Sequence, residues 1–583
     1  MASKRKAGTL VAAMILSTIS TVYARPKDSG EWENNGHRIR HVLLISIDGM
    51  HAIDFLNCSK GIKGVNGGAP YCPKLAELGE TGVNYLDTST SKPSDSFPGL
   101  MALVTGGTPR TVGAFYDVAY DRVLAPPTIT TGNGVAGGTC TVGVPNGTRT
   151  EYDEGIDLDQ TKVNGGALTG DGGINSIDAK KLVRDPFNGC APVYPWNFVR
   201  TNTIFGVVHH AGGYTAWTDK HPSYSAVSGP GNGSNLDDYY SPDINSIPVG
   251  LPGVAGCNPL PDQTAAASSN AWTDSFENIK CYDALKVYSI LNEIDGKTHN
   301  GSAMAPVPNV FGMNFQVVSV GQKLIEKTLS PTVKGGYLDS IGTPSEELLG
   351  EIQFTDNSIG EMVAHLKKHG LFDSTLIIVT AKHGQSPIDS SRYLGISTSP
   401  TDPVTTSPAT ILDGGGCLPF SESTLNPAGI GPTEDDVSLI WLNSNCTTAS
   451  AAKMLETTSP ATANVAGIGQ IFSGPGITQI FNTPGIPPNG DPRTPDILVT
   501  PNVGVTYSGS GKKQAEHGGF AHDDVNVMML LSNPSFEGKT VFSPVETEQV
   551  APTILKALGL DPEALDAVRI EGTQVLPAVQ FGN

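Results

Sequence analysis

Short apolar runs alternate with helix-like segments along most of the chain. A short apolar run bounded by turn residues indicates a strand that is buried on both faces. Five such runs are VLLISI (42–47), LIIVTA (376–381), VSLIWL (437–442), ILVT (497–500) and VNVMMLL (525–531). Apolar residues at helical spacing occur at 73–82, 278–296, 346–370 and 547–559. Because helices between buried strands favour a parallel sheet covered on both sides, the sequence predicts an α/β fold with a mostly parallel central sheet and helices on both faces.

Glycine and proline are frequent and indicate where long loops are expected. The 583 residues include 68 Gly and 43 Pro, well above the roughly 12% of an average protein. Much of this excess falls in three stretches, 123–195, 222–275 and 395–435. We therefore interpret residues 25–583 as one large domain that carries these stretches as loop insertions.

The first 24 residues have the pattern of a secretory signal peptide. A basic start at residues 4–6 precedes a short apolar stretch, and the sequence up to Ala24 offers a cleavage site after that residue. The apolar stretch is too short to span a bilayer, and no later run reaches the roughly 18 apolar residues of a membrane helix. The sequence predicts a secreted protein with no membrane span; an uncleaved amino-terminal anchor is the alternative.

Eight cysteines agree with an oxidising compartment, and their even number predicts disulfide bonds. They are Cys58, Cys72, Cys140, Cys190, Cys257, Cys281, Cys417 and Cys446. We predict that cysteines neighbouring in sequence pair with each other, although 105 pairings are possible for eight cysteines. Five glycosylation motifs predict a glycoprotein and mark expected surface positions. They begin at Asn57, Asn146, Asn232, Asn300 and Asn445.

The charge balance excludes one class of partner. The chain has 37 Lys and Arg against 57 Asp and Glu, a net charge of −20. A protein that coats nucleic acid needs dense Lys and Arg to neutralise phosphates, so that role is excluded. A bound metal cation is compatible with the acidic balance.

Polar side chains follow or precede the predicted strands where functional groups of α/β sheets collect. Asp48 follows the first strand, and Lys382 and His383 follow the strand at 376–381. Ser96 precedes an apolar helix-like segment, and His517 precedes the last strand. A carboxylate, two histidines and a serine at a helix start point to a metal ion and an anionic substrate. Each residue alone has an ordinary structural interpretation, such as a helix cap.

These residues and their order make the chain similar to the type I phosphodiesterase/nucleotide pyrophosphatase family of the alkaline phosphatase superfamily. The resemblance rests on LLISIDGM, SFPGLMALVTGG and IIVTAKHGQSP, with support from HGGFAHDD and EQVAPTILKALGL, and covers most of residues 40–575. It implies an alkaline-phosphatase-like catalytic domain. It further implies that Ser96 is the nucleophile and that Asp48, Ser96, His383 and His517 are metal ligands. Such enzymes typically use two zinc-like ions that stabilise an in-line displacement at phosphorus.

The chain departs from the family pattern at four positions. Lys382 stands where the family has Asp, and Gln316 and Val320 stand where it has Asp and His. Gly99 replaces an Asn that helps to hold the oxyanion. Lys382 is then expected to act as a fixed positive charge against phosphoryl oxygens, in place of a metal. The resemblance thus implies a divalent cation, zinc by preference, with one ion rather than two.

The two ion positions implied by the resemblance keep unequal numbers of ligands. The first ion position, as we call it below, keeps three ligands: Asp48, Ser96 and His383. The second ion position keeps only His517.

Other residues could refill the coordination. Asp219 and His221 follow an expected strand at 213–217, and His522 and Asp523 follow His517 closely. The structural alternative for residues 219–221 is a solvated turn before Pro222.

We predict a secreted phosphoric-ester hydrolase that forms a covalent phosphoserine on Ser96. In this hypothesis Asp48 and His383 bind one ion, while Lys382 and His517 stabilise the phosphoryl group. The resemblance favours a small phosphodiester or nucleotide-like substrate. The alternatives are a phosphomonoesterase, a sulfatase-like hydrolase, or a catalytically impaired secreted binding protein of the same fold.

Overall fold

A computed structural model describes residues 38–167, 171–266, 272–396, 406–419, 433–458, 466–508 and 511–581. The predicted signal segment 1–24 lies outside the described residues, as does most of the predicted insertion 395–435. None of the helices among the described residues combines the length with the apolar composition that a membrane-spanning helix needs.

The described residues build a central sheet of eight strands. In chain order the strands are β1 (His41–Ile47), β2 (Val83–Tyr85), β3 (Ala216–Thr218), β4 (Asp238–Tyr240), β5 (Val310–Phe315), β6 (Thr375–Thr380), β7 (Met529–Ser532) and β8 (Lys539–Val541). Their spatial order is β8-β2-β7-β6-β1-β5-β3-β4. β1 lies between β5 and β6 and is parallel to both. The predicted mostly parallel sheet is confirmed.

The strand predicted at 525–531 shows where the sequence pattern misleads. It forms β7 at Met529–Ser532 and runs antiparallel to both β6 and β2. A short apolar run indicates burial on both faces but carries no information about strand direction. The parallel direction expected for this run was therefore wrong.

Helices cover both faces of the sheet because successive β-strand side chains point to opposite sides. Val42 and Leu44 pack into one apolar core, and Leu43 and Ile45 pack into a second one. The helices that contribute to these cores are α1 (Ala52–Lys60), α2 (Pro73–Thr81), α3 (Ser96–Thr105), α4 (Ile204–His210), α5 (Phe276–Ile294), α6 (Val317–Lys323), α7 (Glu346–Lys368) and α8 (Val550–Ala557). The four helices predicted from apolar spacing correspond to α2, α5, α7 and α8, so the α/β class is confirmed.

A second, small antiparallel sheet corrects two further predictions. The runs at 437–442 and 497–500, expected as parallel strands of the central sheet, instead form strands Ser438–Ile440 and Ile497–Pro501 that pair with each other. Strands Thr433–Glu434 and Ile468–Ser473 complete this sheet. Its two faces pack into their own apolar clusters, so its strands look as buried as central ones.

The remaining elements are short. The other α-helices among the described residues are Pro109–Val112, Pro195–Phe198, Gln263–Ala266, Pro408–Gly414, Thr448–Thr457, His522–Val525 and Asp566–Glu571. Two-stranded pairs join Val118–Asp121 with Thr148–Glu151, Arg184–Asp185 with Ala191–Pro192, Ile325–Glu326 with Val333–Lys334, Leu394–Gly395 with Val505–Thr506, and Thr88–Ser89 with Val545–Glu546.

The predicted disulfide bonds between sequence neighbours are confirmed. The structure pairs Cys58 with Cys72, Cys140 with Cys190, Cys257 with Cys281, and Cys417 with Cys446.

The glycosylation motifs divide into two kinds. Four of the five asparagines are exposed, as expected: Asn146, Asn232, Asn300 and Asn445. Asn57 is buried in α1, and its amide donates a hydrogen bond to the carbonyl of Ile341 at 3.1 Å. The expectation that Asn57 marks surface was wrong, because its side chain is used inside the fold.

Candidate active site

The carboxyl ends of neighbouring parallel strands bring the predicted residues together. Asp48 follows β1, and Lys382 and His383 follow β6. Backbone hydrogen bonds join these loops: the amide of Asp48 donates to Phe315 at 3.1 Å, and the amide of Gly49 donates to His383 at 3.0 Å. The site is thus a direct product of the sheet order.

Ser96 is the first residue of α3, and its neighbours fix its position. Asp95 caps the helix by accepting a hydrogen bond from the amide of Phe97 at 3.1 Å. The Ser96 Oγ lies 3.1 Å from Nε2 of His383. A Cβ on Gly99 would lie 2.2 Å from the carbonyl oxygen of Lys382. The family's Asn therefore has no room at position 99, because α3 packs directly on the backbone of Lys382.

Two buried ammonium groups surround Asp48. Lys382 Nζ lies 3.6 Å from Asp48 Oδ2 and 3.2 Å from Asp219 Oδ1. Lys220 Nζ lies 3.7 Å from the same Asp48 oxygen and donates a hydrogen bond to Ser96 Oγ at 2.8 Å. The ring of Tyr224 has both ammoniums near its face, at 4.7 Å for Lys382 and 5.8 Å for Lys220. Charges of both signs are thereby paired within the protein.

Asp48 is also saturated by amide donors. Asn314 donates to its Oδ1 at 2.8 Å, and Gln316 donates to its Oδ2 at 2.6 Å. Gln316 is the residue that the resemblance places where the family has a carboxylate. Here it binds another carboxylate, which a second Asp could not do while ionised.

Burial and neighbouring charges perturb several pKa values. Burial alone would raise the pKa of Asp48, but the charges of Lys382, His383 and Lys220 outweigh it and hold that pKa well below its usual range. Burial alone would lower the pKa of Lys220, but Asp48 and other nearby carboxylates raise it. For His517, burial and then the charge of His383 lower the pKa well below its usual value.

The second ion position looks different. Gln316, Val320 and His517 line a cavity of about 370 Å³, together with Lys220. The His517 ring stacks on His383, with ring centres 3.9 Å apart. His517 Nδ1 lies 2.9 Å from Glu516. This half of the site thus borders an open cavity with a mostly polar lining.

Further charges surround the cavity. Lys323 Nζ lies 3.8 Å from Glu516, and Lys513 forms an ion pair with the same carboxylate. Asp95 and Asp117 also line the cavity. Burial, followed by the charge of Asp117, raises the pKa of Asp95 well above its usual value.

The weaker candidates lie in different places. Asp219 reaches the site as the partner of Lys382 and accepts a hydrogen bond from Trp217 Nε1 at 3.0 Å. Residues 219–221 are buried, so the solvated-turn interpretation was wrong. His221 lines the cavity and lies 4.0 Å from Asp243. His522 is exposed, and Asp523 accepts a hydrogen bond from the amide of Ile388 at 3.0 Å.

Sequence reasoning missed Lys220. In the segment that follows β3, Asp219 and His221 are residue types that ligate metals, and the lysine between them is not. The signal was present, since a second Lys at a strand end repeats the pattern of Lys382. Tyr224, whose ring lies beside both ammoniums, was also missed.

The residues present do not fit a metal ion at the first ion position. Among the described residues, no three His, Cys, Asp or Glu side chains are grouped to hold an ion. Asp48, Ser96 and His383 do converge, but two ammoniums lie among them. An ammonium has no lone pair to donate and repels a cation.

Comparison with protein-family models finds a match in this chain. The family model for type I phosphodiesterase / nucleotide pyrophosphatase matches residues 42–142 and 336–522. These ranges hold Asp48, Ser96, Lys382, His383 and His517, whereas Lys220 and Gln316 lie between them. No curated protein sequence matches the chain.

Solved structures with a similar fold include three of ectonucleotide pyrophosphatase / phosphodiesterase 5. The murine protein is 14% identical, with 90% of this chain and 96% of that chain covered and a TM-score of 0.47. The human protein is 13% identical, with coverages of 89% and 95% and a TM-score of 0.49. An inactive variant of the murine protein in complex with AMP is 13% identical, with coverages of 90% and 96% and a TM-score of 0.47. On the family match and the order of its strand-end residues, the chain belongs to the type I phosphodiesterase / nucleotide pyrophosphatase family, whose members hydrolyse phosphoric esters.

Proposed function

We propose that this chain hydrolyses phosphoric esters through a covalent phosphoserine on Ser96. The observation that carries the proposal is the contact between Ser96 Oγ and His383 Nε2 at 3.1 Å. A nucleophile and a base at hydrogen-bond distance, with the base held by a third group, are the signature of an activated serine.

The third group is the carbonyl of Gly384, which lies 2.8 Å from Nδ1 of His383. A carbonyl only accepts hydrogen bonds, so Nδ1 carries the proton in the neutral ring. Nε2 then presents its lone pair to the Ser96 hydroxyl. Once Nε2 has taken the proton, the carboxylate of Asp48, 3.4 Å away, stabilises the charged ring.

The proposed reaction has two displacements. Ser96 Oγ bonds to phosphorus as its proton passes to His383 Nε2, and the bond to the leaving oxygen breaks on the opposite side of phosphorus, where that oxygen takes a proton from solvent. A water molecule then bonds to phosphorus from the leaving-group side and releases a proton to solvent. The bond to Ser96 Oγ breaks, and Oγ takes its proton back from His383.

Lys220 supplies the charge that faces the substrate. Its Nζ contacts Ser96 Oγ and lines the cavity, so it is placed for both the nucleophile and a phosphoryl oxygen. Ser96 itself is fully buried. Entry of substrate thus requires a movement of the side chains that cover Ser96.

The experiment is a hydrolysis assay with bis(4-nitrophenyl) phosphate and 4-nitrophenyl phosphate, comparing wild type with Ser96→Ala. We expect Ser96→Ala to lose at least about 10³-fold in rate, as removal of a nucleophile does. Acid quenching of the wild type should leave a phosphoryl group on the peptide that contains Ser96, detected by mass spectrometry. Ser358→Ala, in α7, is the matched control and should keep full activity. Equal rates in Ser96→Ala and wild type would overturn the covalent mechanism.

One observation favours a second function, the binding of a phosphorylated ligand without turnover. The Ser96 hydroxyl has no solvent-exposed surface, and the Lys220 ammonium lies 2.8 Å from it. If this arrangement persists with ligand bound, wild type will bind phosphate and release no nitrophenol from either ester.

The proposal also covers the substrate class, the export of the protein and its domain bounds. Family membership supports a small phosphodiester or nucleotide-like substrate. Four disulfide bonds and four exposed glycosylation motifs support export. We propose cleavage after Ala24 and one domain from residue 25 to 583; amino-terminal sequencing of the secreted protein should begin at Arg25.

A further inference from the structure

The first ion position holds two ammonium groups where the family places a cation. Lys220 Nζ contacts the nucleophile oxygen directly, and Lys382 Nζ lies behind it between two carboxylates. Both lysines are buried, at 9% and 0% exposure respectively. A buried Lys is rare unless it is paired, so these two are held in place by specific partners.

The residues around Lys220 and Lys382 stabilise positive charge. Asp219, the main carboxylate partner of Lys382, is itself held by Trp217 Nε1 at 3.0 Å. Tyr224 presents its ring face to both ammoniums and donates a hydrogen bond to Asp117 at 3.3 Å. An aromatic face and a carboxylate both attract a cation.

The departures from the family pattern at positions 382 and 316 also make the formal charge of the site more positive, as the loss of bound cations requires. A Lys in place of Asp at position 382 adds two positive charges, and a Gln in place of Asp at position 316 adds one. The site thereby carries within its own side chains positive charge that the family supplies with bound ions.

We propose that Lys220 and Lys382 replace the first metal ion, so that this site binds a phosphoryl group with no divalent cation. The inference rests on the proposed function, because it concerns the same site. Lys220 makes the contacts with Ser96 Oγ and the phosphoryl oxygen. Lys382 is a positioning residue that keeps Asp48 and Asp219 neutralised behind Lys220.

The test measures binding and metal content separately from turnover. The full chain is treated with EDTA and desalted, and the binding of inorganic phosphate is followed by calorimetry. We expect the Kd of the wild type to change less than about twofold between EDTA and added Zn²⁺. Lys220→Met should raise the Kd at least about tenfold, the effect of losing one charge-assisted hydrogen bond. Lys367→Met, an exposed lysine of α7, is the matched control and should leave the Kd unchanged.

The second measurement is the amount of zinc that a double variant retains. The double variant Lys220→Met with Lys382→Asp removes both ammoniums and restores the family's fourth ligand. We expect it to retain about one zinc per chain after desalting, as a four-ligand site does, whereas wild type retains none. Circular dichroism and thermal unfolding confirm that each variant is folded, and a double variant that fails to fold is replaced by Lys382→Asp alone, with zinc uptake as the same readout.

The outcomes separate this inference from the proposed function. Tight zinc in the wild type, with phosphate binding lost in EDTA, would overturn the lysine replacement even if Ser96-dependent hydrolysis is observed. Metal-free phosphate binding that depends on Lys220 would support it even if no ester is hydrolysed.

Discussion

The two ion positions of this site have diverged from the family pattern in opposite ways. The first keeps Asp48, Ser96 and His383 and encloses two ammoniums in a fully paired, buried cluster. The second keeps only His517, places an apolar side chain where a ligand is expected, and lies open to the cavity. The first position thus carries its positive charge on lysine side chains, and the second forms part of the cavity wall.

The difference indicates which of the two ion positions depends more on a positive charge. A cation beside the nucleophile oxygen stabilises the negative charge that develops there as the proton leaves. The second ion position faces the cavity, where Lys323 and Lys513 lie beside Glu516. Loss of an ion there leaves the nucleophile intact.

Removal of the base from the first ion position is expected to have the largest effect. His383→Ala should lower the hydrolysis rate about 10²- to 10⁴-fold, since Ser96 then has no group to take its proton. Steady-state assays with both nitrophenyl esters measure this. His369→Ala removes an exposed histidine paired with Asp295 and should have no effect. A His383→Ala rate within about tenfold of wild type would place the base elsewhere.

The next largest effect concerns stability. Lys382→Met leaves Asp48 and Asp219 buried without their shared ammonium, which should destabilise the fold by about 3–5 kcal/mol. Urea unfolding measures the change. The exposed Lys368→Met should cost less than about 0.5 kcal/mol, since that side chain is 62% exposed. Unchanged stability of Lys382→Met would mean that the ammonium does not hold the cluster together.

A pH series should separate the two positions. The pKa values of Asp48 and His517 are both lowered in the folded protein, so each group adds stability that is present above its unfolded pKa and lost as pH falls. For His517 the loss begins near pH 6.5, and for Asp48 near pH 3.8. Each contribution has a slope of at most about 1.4 kcal/mol per pH unit.

Unfolding curves from pH 8 to pH 3 test these windows. His517→Asn should lose less stability than wild type between pH 6.5 and 5, whereas Asp48→Asn should differ in slope from wild type only below about pH 4. Parallel curves for His517→Asn and wild type between pH 6.5 and 5 would contradict the assignment of that window to the second position.

The smallest expected effect is at Val320. Val320→His restores one of the two missing family ligands, but Gln316 stays an amide and the pair with His517 is too few for a stable site. We expect a stability change within about 1 kcal/mol and no gain of zinc by elemental analysis. Uptake of about one zinc per chain would show that two histidines are enough to bind an ion at the second ion position.

Sequence patterns predicted the α/β class, the helices α2, α5, α7 and α8, and the convergence of Asp48, Ser96, Lys382 and His383 at one sheet edge. They succeeded because strand ends and helix faces follow from local periodicity. The direction of β7 and the separate sheet of Ser438–Ile440 depend on which strands become neighbours, which no local pattern encodes. Lys220 was missed for a related reason: its role comes from contacts with Ser96 and Asp48, each more than a hundred residues distant in sequence.

The pairing of the cysteines has a consequence for how the chain is made. The four bonds join residues 14, 50, 24 and 29 positions apart, one after another, with none enclosing another. At a synthesis rate of about 5–20 residues per second, even the longest loop is complete within roughly 10 s of its first cysteine. Both cysteines of each pair are therefore synthesised before the first cysteine of the next pair, so a chain that is exported and oxidised as it is made has fewer incorrect partners to choose from than a chain that folds only when complete.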